Sequence, residues 1–85
     1  MTQQNLTAIV RQALARVAPE TTNADIPAHA PLREECDLDS MDFLNFVIGL
    51  HKATGVEIPE PDYPKLASIA GAVAYLSERV SDSRI

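Results

Sequence analysis

Asp37-Leu38-Asp39-Ser40-Met41-Asp42-Phe43-Leu44 is the stretch in which a polar loop becomes the most apolar helix of the chain. Ser40 is its central residue. A side-chain oxygen at a helix start accepts hydrogen bonds from backbone N–H groups that lack partners within the helix, and Asp39 and Asp42 complement the positive helix end. Capping therefore accounts for Asp39-Ser40-Met41 on its own. Short motifs recur by chance, so the surroundings decide what the serine is for.

Downstream, residues from about 40 to 53 read as a helix with two apolar stripes at 100° per residue. Phe43, Phe46, Val47 and Leu50 cluster on one face, and Met41, Leu44 and Ile48 form a stripe beside it. The first packs inward. The second fits either a central helix buried on both flanks or an exposed docking surface. Asn45, Gly49 and Lys52 define the side expected to face water.

Thr54-Gly55 ends this helix, with Gly55 suited to a left-handed cap, and Val56-Glu57-Ile58-Pro59 runs extended because Pro59 disfavours a helical residue before it. From Glu60 to Leu66 the prolines allow at most a short helical turn, with Asp62 as its cap and Pro64 in its first turn. Ser68 caps a last helix whose Ile69, Ala72, Val73, Leu76 and Val80 share a face, with Glu78 and Arg79 directed away from it. Ala70, Gly71, Ala72 and Ala74 allow close approach of neighbouring backbones. Gly71 costs about 1 kcal/mol relative to alanine, which close packing offsets. Residues 81–85 read as a polar tail.

Upstream, Leu6, Ile9, Val10, Ala13, Leu14 and Val17 fall at helical spacing opposite Arg11, Gln12 and Arg16. This predicts an amphipathic helix over about 4–18, capped by Thr2 or Asn5 and ended by Pro19. Between Pro19 and Leu38 periodicity is lost among Thr21, Thr22, Asn23, Pro27 and Pro31. Ile26, Leu32 and Leu38 are expected to pin this long loop to the bundle. Arg33, Glu34, Glu35 and Asp37 read as a solvated face, and Cys36 as a small packing residue. The architecture expected is one all-α domain: a four-helix bundle of three longer helices and one short one, with a long loop between the first and second.

Composition narrows the function. Eighty-five residues with one cysteine, Cys36, hold no intrachain disulfide, and His29 and His51 are too few and too far apart for a zinc-type ligand set. A formal charge of −5 disfavours nucleic acid and favours partners with basic surfaces. No stretch approaches the roughly 20 apolar residues of a membrane span. A soluble, cytoplasmic monomer is expected. No paired acid and base, nucleophile triad or phosphate-cradling glycine loop is present, so the chain does not read as an enzyme.

The order of parts carries a resemblance. A helix, a pinned loop, Leu38-Asp39-Ser40-Met41 opening a second helix, Gly55-Val56-Glu57-Ile58-Pro59 and a terminal alanine-rich helix containing Tyr75-Leu76 together look like an acyl carrier protein, over about residues 5–80. That family includes the carriers of fatty acid and polyketide synthesis and the peptidyl carriers. The resemblance implies that Ser40, in an Asp-Ser-Leu motif with Met41 for leucine, receives 4′-phosphopantetheine from coenzyme A. The attached thiol, not Cys36, then holds acyl groups as thioesters. It also implies a separate phosphopantetheinyl transferase, acyl- or aminoacyl-loading and acyl-processing enzymes as partners, and docking through Asp39, Met41, Asp42, Leu44 and Ile48. An aminoacyl or peptidyl carrier, or an unmodified interaction module, is the alternative.

Two departures stand out. Asn45, His51 and Lys52 occupy helix positions where fatty acid carriers typically place glutamates. In Cys36-Asp37-Leu38-Asp39-Ser40, Cys36 is read as standing where the glycine of the common Leu-Gly-x-Asp-Ser pattern falls. Both point to a specialised pathway rather than housekeeping fatty acid synthesis.

Overall fold

The computed structural model describes residues 3–19 and 26–83, with side chains over 5–19 and 26–80. The chain runs through α1 (Gln3–Val17), α2 (Leu32–Glu35), α3 (Ser40–Thr54), a 3₁₀ helix over Glu60–Leu66, and α4 (Ile69–Ser83). The described residues include no strand. The capping role expected of Thr2, the turn residues Thr21, Thr22 and Asn23, and residues 84–85 of the expected tail lie outside them; Asn5 falls inside α1 rather than capping it, and residues 81–83 continue α4 rather than starting a tail.

Helix α1 packs against both α3 and α4, and the 3₁₀ helix closes against α4. The inward stripes meet in one core, where Leu6, Leu32, Phe46, Leu50, Leu66 and Leu76 are fully buried. The three stripes are built as their periodicity predicts: Val10, Ala13 and Leu14 from α1, Phe43 and Val47 from α3, and Ile69, Ala72, Val73 and Val80 from α4 are all buried. Burial of such side chains, at about 1.5–3 kcal/mol each, is the main favourable contribution to a bundle of this size. Tyr75 joins them, a core member that the α4 pattern did not single out.

The loop between α1 and α3 is pinned by Ile26, Leu32 and Leu38, all buried, and Cys36 packs beside them. Two backbone bonds fasten it further: the Leu32 amide donates to the Ala67 carbonyl at 2.7 Å, and the Ala70 amide donates to the Ala28 carbonyl at 2.8 Å. The loop is not without structure of its own. Its one-turn helix α2 starts after Pro31, whose φ of −69° suits a helix entry, and is too short to register as periodicity. It closes in a Schellman arrangement, with the Leu38 amide donating to the Arg33 carbonyl at 2.9 Å. Asp37 takes the left-handed position, with φ 54°. Counting back three residues from Ser40, the glycine of the Leu-Gly-x-Asp-Ser pattern corresponds to Asp37 rather than Cys36, and Asp37 adopts the backbone for which glycine is suited. Aspartate is one of the few side chains that tolerate it.

Other expectations change with the structure. Gly49 is only half exposed and borders α1: a Cβ there would lie 3.5 Å from the Cβ of Ala13. The segment Glu60–Leu66 forms a seven-residue 3₁₀ helix entered from Pro59, with Pro64 inside it. Pro61 and Pro64 lack the N–H groups that an α-helix needs, while the amides of Asp62 and Ala67 still make i+3 bonds to Pro59 and Pro64. Asp62 is not its cap, and Arg79 is not directed away from the bundle. The two meet across Tyr75.

The local signals hold elsewhere. Gly55 ends α3 at φ 74°, its amide donating to the His51 carbonyl at 2.7 Å. His51 Nδ1 lies 2.8 Å from the Val56 carbonyl, which can only accept, so Nδ1 carries the hydrogen. Ser68 Oγ accepts from the Gly71 amide at 3.0 Å. Gly71 is required by close approach, because a Cβ would fall 2.5 Å from the Lys65 carbonyl oxygen. Ala74, by contrast, is exposed and takes no part in that seam.

Candidate functional site

The start of α3 is capped by Asp39, not by Ser40. The Asp42 amide donates to the Asp39 carboxylate at 2.8 Å, and the Asp42 carboxylate accepts from the Asp39 amide at 3.4 Å, completing a reciprocal capping box. Ser40 is the first helical residue, exposed, and its hydroxyl is not used by the cap. The two carboxylates turn towards backbone amides, and the serine oxygen is left facing outward.

The Schellman turn at Asp37 folds α2 back onto this helix start. It brings Arg33 to Ser40, with a guanidinium nitrogen 3.4 Å from the serine Oγ. Arg33 also lies with its guanidinium carbon 6.0 Å from the centre of the Phe43 ring. Sequence reasoning placed Arg33 on a solvated face. It is exposed, but the contact with Ser40 depends on a left-handed residue and a one-turn helix that periodicity does not reveal.

Beside Ser40 opens a groove of about 540 Å³ between the start of α3 and the 3₁₀ helix. Met41, Phe43, Leu44, Tyr63, Pro64 and Ala67 line it together with Ser40 and the charged Arg33 and Glu60. Phe43 meets Tyr63 edge-on at 6.2 Å and lies tilted at 46° to Phe46 at 6.0 Å, so the wall is an aromatic cluster continuous with the core. The second stripe of α3 is a surface: Met41 is 63% exposed and Ile48 40%, with Leu44 half-buried between them. Burial on both flanks of α3 is thereby excluded. Met41, Leu44 and Ile48 thus share one side of α3, with Asp39, Ser40 and Asp42 at its start.

A second charged cluster fastens the 3₁₀ helix to α4. The Tyr75 hydroxyl donates to Asp62 at 2.7 Å, Arg79 lies 3.5 Å from the same carboxylate oxygen, and Lys65 pairs with the other at 3.7 Å. The Arg79 guanidinium carbon stands 4.1 Å from the Tyr75 ring centre. The tyrosine's hydrogen bond holds the Asp62 carboxyl below its ordinary 3.8, against the opposing effect of burial and with help from Lys65 and Arg79. Burial, and then the bond to Asp62, pushes Tyr75 above its ordinary 10.0. Among the described residues no group of three or more His, Cys, Asp or Glu side chains is placed to hold a metal ion, and no helix is long and apolar enough to cross a membrane.

The architecture is that of a small all-helical acyl-carrier domain. Residues 8–76 match the family model described as the phosphopantetheine attachment site, and the chain belongs to that family. It is similar to the acyl carrier protein of Rubrobacter xylanophilus, with 31% identity over 55 residues, covering 65% of this chain and 68% of that protein. It is also similar to the acyl carrier protein of Lactobacillus johnsonii, with 39% identity over 44 residues, or 52% of this chain and 55% of that protein. Membership implies a carrier rather than a catalyst, with covalently bound 4′-phosphopantetheine as the prosthetic group. The residues present fit that group: a serine hydroxyl free of capping, a guanidinium within 3.4 Å, and an apolar groove adjoining both.

Proposed function

We propose that the chain is an acyl carrier protein modified on Ser40, and that its partners dock along Asp39, Met41, Asp42, Leu44 and Ile48. The observation that carries the reading is the division of labour at the helix start. Asp39 and Asp42 each accept from the other's amide, so the exposed Ser40 hydroxyl takes no part in the capping box. The prosthetic group, once attached, supplies a terminal thiol that holds acyl groups as thioesters.

Ser40 Oγ is the acceptor atom, and the side chain that hydrogen-bonds it is Arg33, which cannot serve as a base at neutral pH. Deprotonation of the serine therefore falls to a separate phosphopantetheinyl transferase, of which this protein is the substrate. The exposed Met41–Ile48 stripe, bordered by acids at the helix start, has the apolar centre and polar rim of a protein interface. Asn45 and Lys52 stand exposed on α3 where fatty acid carriers typically place acids, and His51 is tied to the Val56 carbonyl. These features favour a dedicated carrier in a specialised fatty-acid or secondary-metabolite pathway.

The test is incubation of the purified protein with coenzyme A, magnesium and a broad-specificity transferase, followed by intact mass measurement. Wild type should gain one phosphopantetheine and Ser40→Ala none, with the two melting alike. No gain by folded wild type, also with the transferases of its own organism, would return the chain to an unmodified interaction module.

A further inference from the structure

Among the described residues, Arg33 has no ion-pair partner. Among the described residues both ion pairs gather on Asp62, and the acids closest to Ser40 in sequence, Asp39 and Asp42, engage each other's backbone amides. The guanidinium instead points at a neutral hydroxyl, at a distance of 3.4 Å that makes a weak bond. The Arg33 backbone is held on both sides. Leu32 is fully buried on one side, and the Arg33 carbonyl is fixed by the Leu38 amide on the other. The Phe43 ring lies beneath the guanidinium group.

We propose that Arg33 is a phosphate anchor, a positioning residue that grips the phosphodiester formed on Ser40 Oγ. This deepens the reading of Ser40 as the attachment site and rests on it. Transfer from coenzyme A would break its pyrophosphate bond, release adenosine 3′,5′-bisphosphate and esterify Ser40 Oγ, placing a full negative charge on phosphate oxygens two bonds beyond the atom that Arg33 already addresses. A guanidinium presents a planar fork of donors that matches phosphate oxygens, and a charge-assisted bond replaces a neutral one. Asp39, Asp42 and Glu60 would otherwise make this margin repellent to phosphate. Arg33 is the only cation among the residues lining the groove, so it offsets that repulsion locally and restrains the first bonds of the attached group beside Phe43. The contact is solvent-exposed, so salt weakens it.

The experiment compares apo and phosphopantetheinylated wild-type protein by NMR of the arginine side-chain nitrogens and of phosphorus. On modification, the Arg33 Nε–H signal should shift and exchange more slowly with water, and both changes should fade as salt is raised. The phosphorus resonance of modified Arg33→Gln should differ from that of wild type, with Arg33→Lys between them. Identical Arg33 signals in apo and modified wild type would overturn the anchor while leaving Ser40 as the attachment site. A wild type that gains no mass would overturn both. Should Arg33→Gln resist modification, the wild-type comparison alone decides the matter.

Discussion

Arg79 and Arg33 are each set beside an aromatic ring and an oxygen, and they differ in what that oxygen is. Arg79 lies 4.1 Å from the centre of the Tyr75 ring and 3.5 Å from the Asp62 carboxylate, which Tyr75 and Lys65 also address. Arg33 lies 6.0 Å from the centre of the Phe43 ring and 3.4 Å from an uncharged serine hydroxyl. The first cluster is closed, with charge and hydrogen bonds matched inside the fold. The second is open. A matched, half-buried network spends its interactions on holding two elements together, whereas an unmatched cation beside a free hydroxyl keeps its capacity for a ligand. Substitutions at the closed cluster and its seam should therefore act on stability, and substitutions at the open one on modification and docking.

The largest effect on stability is expected at the seam beneath the closed cluster. In Gly71→Ala the new Cβ meets the Lys65 carbonyl oxygen at 2.5 Å, and a backbone atom cannot swing aside. Alanine gains about 1 kcal/mol in helix propensity over glycine, but overpacking of this kind costs about 1–3 kcal/mol, so the overlap wins. A thermal melt should show a clearly lower midpoint, since each 1 kcal/mol moves a domain of this size by about 4–8 °C. Mass gain at Ser40 should survive at temperatures where the variant is folded. An unchanged midpoint would mean that the 3₁₀ helix is not held tightly against α4, and the contrast between the two clusters would lose its basis.

A smaller, pH-dependent effect is expected from the cluster itself. Because Asp62 titrates below its ordinary 3.8 in the folded protein, its charged form contributes stability that is complete above that value and is lost as pH falls through the folded-state value. Wild type should therefore melt above Asp62→Asn at neutral pH, with the gap closing below 3.8. Tyr75→Phe should also melt lower at neutral pH, since it removes the donor that contributes most to the shift. At the alkaline end the order reverses in cause. Tyr75 titrates above its ordinary 10.0, so its neutral form stabilises the fold below that value and the contribution fades as pH rises through the folded-state value. A gap between wild type and Asp62→Asn that does not change with pH would show that the carboxylate's charge is not what closes this cluster.

The difference between the clusters also explains what the sequence could disclose. Gly55, Ser68 and the buried stripe Phe43, Phe46, Val47 and Leu50 are local signals, each read within a helix turn of itself, and they stand as expected. Asp62 and Tyr75 are 13 residues apart and Asp62 and Arg79 are 17 apart, so their meeting is a product of the packed fold. Arg33 and Ser40 are only seven apart, yet that contact was equally hidden. It passes through a four-residue helix too short for periodicity and through a non-glycine residue in left-handed backbone, which carries no conspicuous sequence mark. Of the candidate site, the serine and the apolar stripe were legible because residue type and spacing define them. The arginine was not, since a charged residue in a loop looks the same whether it faces water or a neighbour.

The smallest stability effect belongs to the exposed stripe. Met41 is 63% and Ile48 40% exposed, so Met41→Asp and Ile48→Asp remove only part of a side chain's burial, and both should melt within about 1 kcal/mol of wild type. What they remove is apolar area that a partner would desolvate. The rate at which a phosphopantetheinyl transferase modifies Ser40 should therefore fall in both variants at unchanged fold. Ile48 is the sharper probe, because it lies two helical turns beyond Ser40 and leaves both the capping box and the Arg33 contact untouched. A slower rate in Ile48→Asp with a normal melt assigns the stripe to recognition. An unchanged rate in both variants would remove the docking role from Met41 and Ile48 and leave the open cluster as the whole of the site.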